Sequence, residues 1–292
     1  MTNPYLITGP ALISFSGGRT SAYMLRMILD AHDGVLPDDV HVCFANTGKE
    51  REETLRFVHE CATRWGVRVR WLEWRTRRTK DDEGNIIPFE QRFEEVGFNS
   101  ASRAGEPFGE LIRVKGYTPN AVTRFCTDEL KIKVMRNFMQ AQGFDRWTNV
   151  IGLRADEMHR VEKSRARSES GKERWSNVQP LADAGVSERD VRAWWRDQDF
   201  DLQLLPFEGN CDACFLKARP KLWEIERTSP GTLQWWSDIE NGIGKGRFVT
   251  EYSYAELISD VRRQPDMFAG LLEHDTLEMD AECGLWCSGD AA

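Results

Sequence analysis

Apolar positions between residues 11 and 74 alternate between short runs and helical repeats. Leu12, Ile13 and Phe15 make a short run that ends in Ser16-Gly17-Gly18, and a helical pattern starts at Thr20 or Ser21. A second run, DVHVCFANTG (39–48), ends in a polar turn. Leu55, Val58, His59 and Ala62 then recur at helical spacing within 51–65, and VRVRWLEW (67–74) alternates as a third strand. Strand and helix alternating in this way predict a parallel sheet with right-handed crossovers, whose ligands lie beyond the C-terminal strand ends. Ser16-Gly17-Gly18 and Asn46-Thr47-Gly48 are therefore expected on one rim.

Residues 75–120 break the rhythm. The first part is charged and glycine-interrupted and the second is rich in small and turn residues, so the segment reads as an insertion with a loop on the ligand side. RFCTDELK (124–131) opens a helix running to about Gln142, with Thr127 or Asp128 as its cap and Cys126 near its N-terminus. NVIGL (149–153) is a further strand, followed by Arg154, Asp156, Glu157 and Arg160. Ser187 caps a helix over 186–195 with Asp190 as its capping-box partner. Short helices are expected within 228–247, at 253–263 and at 267–273, with Trp235 and Trp236 packing.

Composition narrows the class. The chain has 292 residues, 40% of them hydrophobic and 29% charged, with a formal net charge of −8. No apolar run approaches the length of a membrane span, and the N-terminus has no basic region before its apolar part. A soluble, cytoplasmic protein without a membrane partner is the expectation. The acidic total disfavours non-specific nucleic-acid binding. Seven cysteines point to metal or redox chemistry rather than a disulfide framework. Cys43 and Cys61 fall on apolar faces and read as core.

The chemistry begins at LISFSGGRTS (12–21). A strand, two glycines and a helix start offer backbone N–H groups and a helix N-terminus to a phosphate. Arg19 adds a permanent charge, and Ser16, Thr20 and Ser21 add hydroxyls. The Walker A pattern is absent, since no Gly-Lys-Ser/Thr follows. An ordinary strand-to-helix turn is the competing reading. Asn46, Thr47 and Glu50 admit a second reading too, as turn chemistry plus a helix N-terminal charge. Arg154, just past a strand's C-terminal end, is placed to hold an oxyanion, and Arg160 follows it. Cys211-Asp-Ala-Cys214 is a CxxC turn before a helix, which in a reducing compartment suits zinc, iron–sulfur or redox chemistry. The tail carries Cys283 and Cys287.

SGGRTS resembles the PP-loop of the adenine nucleotide alpha-hydrolase superfamily, whose usual form is SGGKDS. RFCTDELK resembles the CTxxLK segment of its PAPS (phosphoadenosine phosphosulfate) reductase-like branch, and the stretch from Gly152 to Arg160 is similar to that branch's GxRxxES-x-x-R element. ECGLW (282–286) resembles the ECGLH tail of sulfonucleotide reductases. Arg19 replaces a lysine, Thr20 an aspartate and Trp286 a histidine. The resemblance implies an α/β fold: a parallel Rossmann-like sheet flanked by helices, with a C-terminal helical, cysteine-bearing extension. On that pattern residues 1–200 are the nucleotide-binding domain, with the insertion at about 75–120, and residues 201–292 the extension.

The same resemblance implies an adenine nucleotide (PAPS, APS, which is adenosine phosphosulfate, or ATP) bound through Ser16, Gly17, Gly18, Arg19, Thr20, Ser21, Asn46, Thr47, Arg154 and Arg160. It also implies a 4Fe–4S cluster, with zinc as the alternative, held by Cys126, Cys211, Cys214 and a tail cysteine, Cys287. The family's early cysteine pair is here Phe125-Cys126. Cys283 is then the candidate nucleophile, a role that competes with cluster ligation. Three functions stay open: reduction of an adenylylated sulfate to sulfite with a thiol reductant such as thioredoxin, ATP-dependent sulfur transfer to a nucleic-acid or other acceptor, and a non-catalytic nucleotide-binding accessory role. A homodimer is among the assemblies left open.

Overall fold

Strand β1 (Ala11–Ser14) lies inside a six-stranded sheet of order β4-β3-β2-β1-β5-β6. In the computed structural model, residues 3–76, 92–243 and 246–267 are described. After β1 come α1 (Arg19–Ala31), β2 (Val40–Asn46), α2 (Glu52–Arg64) and β3 (Val69–Trp74). All three strands are parallel, with Ile13 opposite Val42 and Phe44 opposite Trp71. Buried parallel strands must be apolar on both faces, and the register divides them cleanly. Ala11, Ile13, Val42, Phe44 and Trp71 face α1 and α2 in one core cluster, while Leu12, Cys43, Ala45 and Leu72 belong to the other. Cys43 and Cys61 are buried, as their apolar positions foretold.

The insertion departs from its reading as a loop. Its described part contains β4 (Phe93–Val96), an antiparallel edge strand on β3, and α3 (Glu106–Lys115). Glu94 and Glu95 pair with Arg75 and with Arg68 and Arg70, which puts charge on the exposed edge and blunts it as a template for another strand. Residues 77–91 lie outside the described residues.

The 124–142 helix is one run in three parts: α4 (Phe125–Thr127), a π turn (Asp128–Ile132) and α5 (Lys133–Ala141). It starts at Phe125 with Arg124 in the cap position, earlier than the cap expected at Thr127 or Asp128, so Cys126 sits in its first turn. After β5 (Trp147–Val150) come a 3-10 turn (Ala155–Glu157), α6 (Met158–Glu169), β6 (Trp175–Val178), α7 (Pro180–Asp183) and α8 (Glu188–Arg196). The Ser187 capping box on α8 is present, with Ser187 Oγ and Asp190 Oδ2 at 2.6 Å.

The remaining helices are α9 (Arg219–Thr228), α10 (Gln234–Ile243) and α11 (Tyr254–Arg263), the last capped by Ser253. Trp223, Trp236 and Tyr254 from these helices share one cluster with Leu12, Cys43 and Leu72 of the sheet. The helical extension thus covers one face of the sheet and completes its core. Among the described residues no helix is long and apolar enough to cross a membrane. The expected helix at 267–273 lies almost entirely outside the described residues.

Candidate functional site: the glycine loop and the CxxC turn

The loop between β1 and α1 is shaped by Gly17, whose φ is +83°. A Cβ there would lie 2.7 Å from Thr54 Cγ2 and 3.1 Å from Val58 Cγ2. The serines brace the turn. Ser21 Oγ donates to Gly18 O at 3.0 Å, which commits its only proton, so Ser16 Oγ donates to Ser21 Oγ at 2.9 Å. Ser16 N also donates to Ser21 Oγ at 3.2 Å. Helix α1 has Gly18 at its cap position, no side-chain cap and no acidic residue in its first turn. Its N-terminal N–H groups and dipole are therefore left for an anion rather than neutralised by the helix's own side chains.

One other candidate, Arg154, converges on this helix start. Arg154 is 7% exposed, and its Nη1 lies 3.3 Å from Thr20 Oγ1 while its Nε donates to Asp156 at 3.0 Å. The positions 154 and 20, far apart in sequence, thus meet at the ends of adjacent strands β5 and β1. Arg160, in the first turn of α6, pairs with Glu157.

Arg19 is turned elsewhere. Its Nε and Nη2 grip the Asp201 carboxylate at 2.7 and 2.8 Å, and Nη2 also donates to Leu202 O. The planar guanidinium fork suits a bidentate carboxylate partner, so the charge expected at the phosphate position is matched by Asp201. Trp195 Nε1 fixes the same residue from behind by donating to Arg19 O at 2.9 Å.

Asn46 and Thr47 lie on the rim as expected, but their side chains are committed to the turn. Asn46 Nδ2 donates to Glu73 and to Ser102 O, and its Oδ1 accepts from Gly48 N. Thr47 donates through both N and Oγ1 to Glu50. Burial raises the Glu50 carboxyl above its ordinary range, and the Lys131 ammonium 3.8 Å away, from the π turn, opposes that rise.

The CxxC turn is tied to this rim. Cys211 bridges to Glu50, Asp212 N donates to Lys49 O at 2.9 Å, and Lys49 Nζ pairs with Asp212 at 2.6 Å. Trp236 Nε1 donates to Asp212 Oδ1 and Tyr254 Oη to Ala213 O. Asn210 makes the direct link: its Nδ2 donates to Ser16 O at 3.1 Å, while its own carbonyl accepts from Arg51 N at 2.8 Å. Nothing in the sequence marked Asn210 beyond its place before the first cysteine, and nothing marked Asp201 at all.

The cluster assignment fares differently. Among the described residues, no group of three or more His, Cys, Asp or Glu side chains could hold a metal ion. Cys126, Cys211 and Cys214 therefore do not assemble a three-ligand cradle. The CxxC turn is drawn onto the Lys49–Arg51 backbone, and Cys126 packs against the hydrophobic cluster under α4. Cys283 and Cys287 lie outside the described residues.

Beside the turn stands Lys217, 8% exposed, with an Nζ that has no hydrogen-bond partner among the described residues. Burial pushes its ammonium down to about 8, with Cys214 and Cys211 acting in the opposite direction. The unfolded chain then holds the proton more tightly, so stability should rise with pH between about 8 and the ordinary lysine value of 10.5. Lys217→Met is expected to remove that rise and to gain on the order of 3 kcal/mol near neutral pH. Urea melts of both proteins across that interval measure it, and parallel pH dependences would show that the ammonium is solvated in the fold.

The chain is 28% identical over 233 residues to the nin region protein ORF290 of Escherichia phage lambda, covering 79% of this chain and 74% of that one. It is 27% identical over 164 residues to a 37.8 kDa protein of Escherichia phage 186, across 50% of this chain and 48% of that one. A protein of Methanocaldococcus jannaschii is 24% identical over 176 residues, and this chain spans 29% of its length. Among solved structures, the U34-tRNA thiolase NcsA from Methanococcus maripaludis with its 4Fe–4S cluster matches at a TM-score of 0.37 and 13% identity, over 85% of this chain and 71% of that one. The family model for the phosphoadenosine phosphosulfate reductase domain matches residues 10–217, which takes in the glycine loop, Arg154 and the CxxC turn. The chain belongs to the phosphoadenosine phosphosulfate reductase domain family.

Proposed function

We propose that this protein binds an adenine nucleotide at the uncapped start of α1 and reduces an adenylylated sulfate, PAPS or APS, to sulfite. The observation that carries the reading is the Asn210–Ser16 hydrogen bond, which holds a cysteine pair against the nucleotide loop. Gly17, Gly18, Thr20 and Ser21 form the anion cradle with Arg154, and Ser16 shapes it. In the reaction a cysteine thiolate attacks the sulfate sulfur, the S–O bond to the phosphate breaks, and the nucleotide leaves with that electron pair. A second thiol then attacks the cysteine sulfur, expels sulfite and leaves a disulfide, which an external dithiol reduces. Cys283 is the proposed nucleophile, and Cys211 and Cys214 are the thiols held at the rim.

Intact-protein mass after anaerobic incubation with PAPS, and separately with APS, tests this without added reductant. One sulfonate adduct that disappears in Cys283→Ser is the expected result. An adduct that survives in Cys283→Ser and is lost in Cys211→Ser or Cys214→Ser would move the nucleophile to the turn. Absence of any adduct while nucleotide still binds would overturn reduction. A second reading, ATP-dependent sulfur transfer to a nucleic-acid acceptor, is favoured by one observation, an arginine-lined cavity beside the loop.

A further inference from the structure

A cavity of about 820 Å³ opens between α8 and residues 201–210. That volume lies within the roughly 300–1,000 Å³ typical of small-ligand sites. It shares Arg19 with the glycine loop, but Ser16, Gly17, Gly18, Thr20 and Arg154 do not line it. The Arg19–Asp201 pair lines it as well.

Four arginines line it, Arg19, Arg189, Arg192 and Arg196. Four carboxylates line it, and each is already paired: Asp156 with Arg154, Glu188 with Arg192, Asp201 with Arg19 and Glu208 with Arg51. Arg189 and Arg196 also line it and form no ion pair among the described residues, and the buried Nε of Arg192 has no partner there. These three arginines recur at three- and four-residue spacing, so they share one face of α8. The opposite wall is apolar, with Leu204, Leu205 and Pro206, and Leu205 is 50% exposed. Two guanidinium groups without an ion pair, those of Arg189 and Arg196, opposite an apolar wall suit a ligand with a phosphate at one end and a flat, weakly polar ring at the other.

We propose that this cavity is a second binding site, for a nucleoside phosphate unit distinct from the adenine nucleotide on the loop. It rests on the reading of the loop as the nucleotide site only for its placement. The unit is either a free mononucleotide or one nucleotide of a single strand, held by Arg189, Arg192 and Arg196 with its base against Leu204, Leu205 and Pro206. Beside the loop and the CxxC turn, it is where an acceptor would lie.

The test uses the full chain and two probes, a short fluorescent single-stranded oligoribonucleotide and CMP as competitor, with ATP and PAPS binding measured in parallel. Arg189→Ala/Arg196→Ala should weaken the oligonucleotide about tenfold or more and lower the slope of log affinity against log salt by about 1.4. Both arginines are exposed, so folding is not at stake. Displacement by CMP would identify a free nucleotide as the ligand, and a strand that CMP cannot displace would identify a nucleic acid. An unchanged oligonucleotide affinity in the variant, or a wild-type protein that binds neither probe, would overturn the proposal. So would an equal loss of ATP and PAPS binding in the variant, which would make the cavity part of the loop site. A protein that binds the oligonucleotide through these arginines but no adenine nucleotide would fail the loop reading alone.

Discussion

Gly17→Ala should abolish adenine-nucleotide binding and destabilise the protein by about 2–5 kcal/mol, the sum of a left-handed backbone cost of ~1–2 and an overpacking cost of ~1–3. The overpacking arises because the new methyl would lie 2.7 Å from Thr54 Cγ2, and Thr54 is wholly buried on α2. Any shift of Gly17 to relieve the contact moves Gly18 and the first turn of α1, where the anion would be held. Gly34→Ala supplies the control. Gly34 has nearly the same φ, +85°, and no atom lies within 4 Å of the point its methyl would occupy. It should lose only the backbone term and keep full nucleotide affinity. Calorimetric titration with ATP and PAPS, alongside urea melts, separates the two substitutions. Equal losses for both would show that Thr54 yields and that the loop is not sterically fixed.

Trp236→Ala is expected to cost about 3–5 kcal/mol. The indole is 1% exposed and packs between Phe248 and Tyr254, with Phe108 at its edge. Its Nε1 also donates to Asp212 inside the CxxC turn. Trp236→Phe keeps most of the packing and removes that donor, for a loss nearer ~1 kcal/mol. Asp212 keeps its ion pair with Lys49, so the turn should stay seated in the phenylalanine variant. Because Trp236 shares a core cluster with strands of the sheet, its loss should lower a single unfolding transition. A separate early transition for the C-terminal helices would contradict that shared core.

Legibility in the sequence followed burial. Strands β1, β2 and β3 were readable because they are apolar on the faces they bury, and the glycine loop because glycines interrupt that pattern where an anion needs backbone. Strand β6 was missed for a physical reason: Asn177 lies in it, and its buried amide accepts from Asn149 of β5 at 2.9 Å, so a core contact is written in loop-type residues. Strand β4 was hidden by Glu94 and Glu95, the very charges that protect an edge. The convergence of Arg154 on Thr20 was foreseeable from the strand ends. The turning of Arg19 to Asp201 was not, because a local motif carries no information about a carboxylate 182 residues away. The arginines of α8 stood in plain view at helical spacing, yet only the cavity opposite them gives that spacing a use.

The Arg19–Asp201 and Ser16–Asn210 contacts also set a schedule. The loop occupies the first strand-to-helix turn of the chain, but its braces arrive 182 and 194 residues later. At ~5–20 residues per second of synthesis, α1 waits on the order of ten seconds or more for them to be made. Until then the nascent chain carries the loop without these two contacts. The fully braced loop is thereby reserved for a chain that has been translated as far as Asn210.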